Sequence, residues 1–485
     1  MILVAAVRIV GPAVCGAHRV GRAVGLRGAP GDQRPSRAMD ELEGVWMMVC
    51  RVDAVGAVRV GEPTDEVRGR PRRPVLPEAD PFYQPPNDFE WAAAGAVLRS
   101  RAVEVALFGV VAQRFPAWQL LYRSCDLQGA AQAAVTTVLL PAGADPAVPR
   151  PLLSYQCAID AVASTCFPSY ALQRGAQALG CVPQLELLLI ASALARGWAV
   201  SLPDHEGLAG NWGAPREPGY RALDGIRAAL TFAPLGLNPS TPVGLWGYSG
   251  GGLATSWAAE MAPKYAPEIN VVGAALGSPV GDPGSAFLRL NATRYAGLPI
   301  MVVAGLRHVY PQLDRVIRRH VSAEGREILQ SVEHLSTIAA VRRLSHYDVG
   351  DHLDVPLADF LALPEVTALF QEIQPGGHAP SAPILAVQSV HDQLIAVDDV
   401  DGQIARYRAA GAHVSYRRDR LSEHIALHPL AAPLTLTWLA DRFAGKPPPE
   451  PGAKTVWSTA LSGSALRGLL GLTWVAAKVV MGRPV

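Results

Sequence analysis

Lysine is almost missing from this 485-residue chain: Lys264, Lys446, Lys454 and Lys478 stand against 39 arginines. With the surplus of Ala, Val and Gly, this skew reads as the codon bias of a GC-rich genome, so arginine abundance is no sign of phosphate binding. Charge of one sign is lacking too. The 43 basic and 42 acidic side chains leave a formal +1, which gives no electrostatic reason to expect a nucleic acid partner. Charged residues make up 18% and hydrophobic ones 49%, against about 25% charged in an average domain. That composition excludes disorder of the bulk and a coiled coil. Long apolar runs are absent from the tail, where 468–477 is apolar but a spanning helix needs about 20 residues, so no integral membrane span is expected. The six cysteines (Cys15, Cys50, Cys125, Cys157, Cys166, Cys181) match no C-x-x-C or zinc spacing. An oxidising compartment would permit a Cys166–Cys181 disulfide.

Residues 1–79 differ from the rest, with 12 Arg against 9 Asp/Glu and clusters of Gly, Pro and Arg. They lack the basic start of a signal peptide. They read as an unstructured leader or as sequence upstream of a later start at Met39, Met47 or Met48. From Asp80 onward, short apolar runs alternate with helical stretches. Strands are expected at Val135–Leu140, Leu152–Gln156, Ala199–Leu202, Pro242–Trp246, Val271–Leu276, Ile384–Gln388 and His413–Arg417. Helices are expected at Leu185–Arg196, Tyr220–Phe232, Gly251–Met261 and Pro429–Phe443. This alternation predicts an α/β fold, a mostly parallel sheet with helices on both faces. The alternation fails over 282–377, a charged, His-dotted helical insertion placed to be a lid or cap. The core then comprises 80–281 and 378–446, and 447–485 a Pro-rich linker and a tail that packs on the body or touches a membrane surface.

The strongest local signal is Gly247-Tyr-Ser249-Gly-Gly251, a G-x-S-x-G pattern with an apolar strand before it and a small-residue helix after it. That strand–turn–helix context is what a nucleophile elbow requires. A serine hydroxyl is a weak nucleophile until a histidine takes its proton and an acid orients that histidine. In chain order the acid follows a late strand and the base follows the next one. This selects Asp392 after Ile384–Gln388, and His424 before the closing helix. Asp398, Asp399 and Asp401 compete for the acid but stand at a helix start, where capping accounts for them. His428 competes for the base. A metal pair His424/His428 is disfavoured because Ile425 stands where a zinc protease has its glutamate. No metal or cofactor is expected. One oxyanion donor is the N–H of Gly250, the residue after the nucleophile; the other comes from the loop within Gln156–Ala161.

Several separate segments carry a resemblance. They are Leu121-Tyr-Arg-Ser124, Ser154-Tyr-Gln156 through Asp160, Cys166-Phe-Pro-Ser-Tyr170, Asp204-His-Glu-Gly207, Leu223-Asp-Gly-Ile-Arg227, Gly247–Gly251, Tyr265-Ala-Pro-Glu268 and Glu423-His424. In this order they resemble the secretory lipase family, α/β-hydrolases of the yeast lipase A type. The resemblance implies Ser249, Asp392 and His424 as triad, Asp160 beside Gly250 at the oxyanion hole, and 282–377 as a lid over an acyl-chain site. In some members the counterpart of Cys166 pairs with a lid cysteine, but this insertion has none. The Asp204–Gly207 segment is expected to be structural, bonding the sheet edge. The expected function is that of a serine carboxylic-ester hydrolase, a triacylglycerol lipase of lipid catabolism, with a lipid or small ester as substrate at a lipid–water interface. The alternatives are a short-chain esterase or acyltransferase with the same triad, a peptidase, and a non-catalytic lipid-binding protein. The family implies secretion or attachment to the cell envelope, which the N-terminus does not itself signal.

Overall fold

The computed structural model describes residues 73–485. Most of the leader expected over 1–79 lies outside the described residues. Its last residues, Pro77–Ala79, already form a 3-10 turn with Pro77 buried.

Ten strands among the described residues make one sheet, and two short ones, β2 (Ala106–Leu107) and β3 (Val111–Ala112), make a small hairpin beside it. The large sheet holds β1 (Val97–Ala102), β4 (Ala117–Cys125), β5 (Ala131–Leu139), β6 (Leu152–Gln156), β7 (Ala199–Pro203), β8 (Val243–Tyr248), β9 (Val271–Gly277), β10 (Ile384–Ser389), β11 (Val414–Asp419) and β12 (Gly452–Val456). Their order is β1-β4-β5-β7-β6-β8-β9-β10-β11-β12. From β7 to β12 every neighbouring pair is parallel. The pairs β1/β4, β4/β5 and β5/β7 are antiparallel. All seven expected strands are present, and the fold is that of an α/β-hydrolase with a mostly parallel sheet. The central strands were legible because helices cover both faces: every residue of β6, β8 and β10 is buried, so each reads as a continuous apolar run.

Strands β1, β4 and β12 carry no such run. β4 contains Gln119, fully buried because its side-chain amide donates to the Ser169 carbonyl, a tertiary contact that no local pattern announces. β1 and β12 are edge strands with exposed arginine, lysine and threonine positions, as edges require. The Pro-rich stretch expected to be a linker leads directly into β12, which pairs with β11 from Ser415–Gly452 to Asp419–Val456. The tail's first segment is therefore part of the hydrolase sheet. The helix Gly463–Val480 follows and packs on the helices Pro183–Leu194 and His424–Phe443.

Between β9 and β10 run seven helices, from Pro283 to Glu372. They share a core of Met301, Ala304, Leu306, Leu329, Val332 and Ala340, which includes Val162 and Trp212 from the sheet body. Each such large side chain taken from water contributes about 1.5–3 kcal/mol, so the insertion is seated on the body by apolar burial. Cys166 and Cys181 form a disulfide, with Cα atoms 5.0 Å apart.

Candidate active site

Ser249 follows β8 and precedes the helix Gly250–Tyr265. Its backbone has φ 55° and ψ −121°, a conformation costing about 1–3 kcal/mol for a residue with a side chain. The turn is held by the Ser249 N–H on the Gly277 carbonyl (2.9 Å) and by the Leu253 N–H on the Ser249 carbonyl (2.9 Å). Two glycines are required by close approach. A Cβ on Gly247 would lie 2.1 Å from the Gly251 carbonyl oxygen, and one on Gly251 2.1 Å from that of Gln156.

Asp392 stands three residues beyond β10 and is almost wholly buried. Its Oδ1 accepts the N–H groups of Leu394 and Ile395, each at 2.8 Å. Its Oδ2 meets His424 Nδ1 at 2.7 Å. His424 is the first residue of the closing helix, which begins five residues earlier than the expected Pro429. Pro429 and Pro433 lie inside that helix, and their missing N–H groups made its first turn look like a loop. Glu423 caps it, accepting from Ile425 and Ala426. With Nδ1–H donated to Asp392, His424 Nε2 accepts the Ser249 hydroxyl at 3.0 Å. These are hydrogen-bonding distances for a nucleophile, its base and the acid that orients the base.

The electrostatics agree in direction. Burial opposes the charged form of both groups, but each is the other's counter-ion. Burial draws His424 down, and the Asp392 charge and hydrogen bond outweigh it, so the imidazole ends above its ordinary value. Burial pushes Asp392 up, but the His424 charge and the N–H groups of Ile395 and Leu394 hold it below the usual carboxylate range.

Asp160 lies four residues past β6 and also has a positive φ, 47°. A Cβ on Gly250 would come 1.8 Å from Asp160 Oδ1, so the two residues adjoin. That oxygen is buried with no hydrogen-bond partner, and burial raises the carboxyl to about 7. The Gly250 N–H heads a helix, where the first amides have no intrahelical acceptor and the dipole favours negative charge. The loop carrying Asp160 is pinned from three sides. Glu186 accepts the Ala158 N–H at 2.9 Å, His205 Nε2 meets the Cys157 carbonyl at 2.9 Å, and the Thr337 hydroxyl donates to the carbonyls of Asp160 (3.1 Å) and Ile159 (3.3 Å). Thr337 belongs to the insertion, as does Arg289, which donates to the Asp392 carbonyl at 2.6 Å. Neither was foreseen, for a lone threonine or arginine far along the chain has no local signature.

The remaining candidates fall elsewhere. His428 is half-buried, its ring stacked on that of Tyr248 at 4.2 Å, and meets the Tyr155 hydroxyl at 3.2 Å. Loss of solvation and the neighbouring His424 charge lower it to about 3. Among the described residues no group of three or more His, Cys, Asp or Glu could hold a metal. Asp398 and Asp399 stand in the first turn of the helix Val397–Ala409, without making its side-chain cap, and Asp401 pairs with Arg418 at 2.7 Å. The Asp204–Gly207 segment follows an interior strand rather than a sheet edge. There Asp204 accepts the Ser169 N–H at 3.0 Å, so the segment braces the loops around the site.

Ser249, Gly250, Asp160 and Trp212 line a cavity of about 140 Å³. The rest of its wall is largely apolar and comes mostly from the insertion, with Leu306, Leu313, Ile317, Leu329, Phe360 and Val366 among the contributors.

Known proteins resemble this chain in sequence and in fold. The family model described as "Secretory lipase" matches residues 172–450. A protein of Mycobacterium tuberculosis named a probable inactive lipase is 54% identical over 430 residues, 89% of this chain and 96% of its own length. Lipase A of Arthroderma benhamiae is 37% identical over 81% of this chain and 85% of its own. The crystal structure of Candida antarctica lipase A superposes with a TM-score of 0.75 at 26% identity, covering 85% of this chain and 98% of that one. By its sequence and by its fold, this chain belongs to the secretory lipase family.

Proposed function

We propose that this chain is an active serine carboxylic-ester hydrolase, a triacylglycerol lipase of lipid catabolism that works through an acyl-enzyme. The observation that carries the reading is His424 bridging Ser249 Oγ at 3.0 Å and Asp392 Oδ2 at 2.7 Å, with Ser249 on the wall of a largely apolar cavity. Ser249 Oγ attacks the ester carbonyl while His424 Nε2 takes its proton, and the oxygen of the tetrahedral intermediate is held by backbone N–H groups of Gly250 and Asp160. His424 then protonates the leaving alcohol. A water deprotonated by the same imidazole releases the acid and restores Ser249. Asp392 keeps the ring in the required tautomer and stabilises its charged form.

Residues 282–377 serve as a lid. The apolar wall they supply favours long acyl chains, since each buried CH₂ contributes about 0.8 kcal/mol. Export or attachment to the cell envelope accords with the family's description as secretory.

The test is initial rates on p-nitrophenyl esters from acetyl to palmitoyl, with Ser249→Ala as control. A serine-dependent optimum at medium or long chains is expected. A serine-dependent optimum at acetate or butyrate makes it a short-chain esterase. Because a relative at 54% identity is named as probably inactive, a second reading is a lipid-binding protein without turnover. Binding of a fatty-acid ester with no serine-dependent hydrolysis would establish it.

A further inference from the structure

The stretch 451–485 contains no aspartate or glutamate but four cations, Lys454, Arg467, Lys478 and Arg483. It lies beyond the residues matched by the family model. Its helix Gly463–Val480 buries Ala465, Leu472, Ala476, Val479 and Val480 on one face. On the other face Leu466, Leu470 and Trp474 recur every four residues and stay exposed, Leu470 at 72% and Trp474 at 62%. Soluble surfaces scatter such residues singly; a row of them is a docking surface.

The row does not stop at the helix. Trp457 and Leu461, 65% and 66% exposed, precede it, and Leu421 (66%) stands beside them, its N–H donating to the Trp457 carbonyl at 3.0 Å. Leu421 lies three residues before His424. Asp419 clamps the two segments together: Oδ1 accepts the Leu421 and Ser422 N–H groups, and Oδ2 accepts the Thr459 N–H and hydroxyl. The helix is fixed as well. Gly468 allows contact with Pro433, where a Cβ would be 2.6 Å from that ring, and Gln113 donates to the Val479 carbonyl at 3.0 Å.

We propose that Leu421, Trp457, Leu461, Leu466, Leu470 and Trp474 form a rigid surface that docks on an anionic lipid–water interface. Two features select lipid over a protein partner. Apolar and tryptophan side chains line one helix face flanked by cations without a single anion, the pattern of a helix lying in a headgroup layer. In addition, Lys478 lies 6.0 Å from the Trp474 ring centroid, so charge and aromatic ring present themselves together. The surface begins next to the loop of His424, and docking therefore holds that end of the molecule at the lipid.

The test is sedimentation of the full chain with phosphatidylcholine vesicles containing phosphatidylglycerol, and with neutral phosphatidylcholine vesicles, at low and high salt. The wild type is expected to bind the anionic vesicles at least tenfold more strongly and to be released by salt. Leu470→Ser with Trp474→Ser should lose at least tenfold in binding while hydrolysing soluble p-nitrophenyl butyrate like the wild type. Arg467→Glu with Lys478→Glu, which leaves the apolar row intact, should lose the preference for anionic vesicles. Ser249→Ala should bind like the wild type, which separates this inference from the hydrolase reading. Absence of wild-type binding overturns the proposal. So does equal binding of the Leu470/Trp474 variant, or a concentration-dependent dimer that this variant abolishes, which would give the face to a second copy of the chain.

Discussion

Glu186 accepts the backbone N–H of Ala158 at 2.9 Å with one carboxylate oxygen and the Tyr155 hydroxyl at 2.8 Å with the other. The helix Pro183–Leu194 thereby fixes the chain two residues before Asp160. Burial raises Glu186 to about 8. Glu186→Ala leaves the Ala158 N–H buried without an acceptor, a loss of about 1–3 kcal/mol. It should also lower kcat on p-nitrophenyl butyrate more than it raises KM, because the loop it frees is the one proposed to hold the oxyanion. Glu186→Gln, which keeps an acceptor oxygen, should recover part of both losses. Thermal unfolding and the kcat and KM values check the two effects separately.

Removing any member of the proposed triad should abolish most turnover without unfolding the chain. Ser249→Ala and His424→Ala are expected to lower kcat about 10⁴-fold or more, and Asp392→Asn about 10⁴-fold through the wrong imidazole tautomer. The effects should not multiply: the Ser249→Ala/His424→Ala double variant should be little slower than either single one. Steady-state rates on one soluble ester decide this.

The pH profile should have two limbs with different owners. His424 accepts a proton only when neutral, and Asp392 holds its pKa above 6.5, so kcat/KM should fall as pH drops through that raised value. Asp160 adjoins Gly250 with its carboxyl near 7. Above that it carries a negative charge beside the developing oxyanion, so a second loss should begin as pH rises through about 7. Asp160→Asn removes that titration and should flatten the alkaline limb while leaving the acid limb in place.

The Cys166–Cys181 bridge closes a separation of 15 residues, and a loop of that size stabilises a fold by about 3 kcal/mol. Cys166→Ser or Cys181→Ser should lower the unfolding midpoint by that equivalent. Denaturant titration with and without reductant should show the wild type under reductant matching the variants.

Chain-length preference should follow the cavity wall supplied by the insertion at Val366. Val366 packs with Val316 and Phe360, a cluster that contains neither Ser249 nor Trp212. Val366→Trp should shift the optimum toward shorter p-nitrophenyl esters and leave acetate hydrolysis within about twofold. Enlarging this buried side chain should also cost about 1–3 kcal/mol of stability through overpacking. An unchanged chain-length profile would show that acyl chains do not reach this wall.

The amino-acid order alone specified the central strands, the elbow at Ser249 and the chain order of Asp392 and His424. Each depends on neighbours in sequence: a strand buried on both faces is a mainly apolar run, and Gly247 is required by the Gly251 carbonyl within the same turn. Tertiary structure decided the rest. The contacts of Glu186, Thr337 and Arg289 to the site join segments 28, 178 and 103 residues apart, so no local pattern encodes them. Packing brings the His424 imidazole to Ser249 and stacks that of His428 on Tyr248, a difference that two histidines four residues apart do not reveal in sequence. The edge strands β1 and β12 were silent because an edge is polar by necessity, and the interior strand β4 because its buried Gln119 is satisfied from afar. The apolar row from Leu421 to Trp474 exists only once β11, β12 and the last helix are folded side by side.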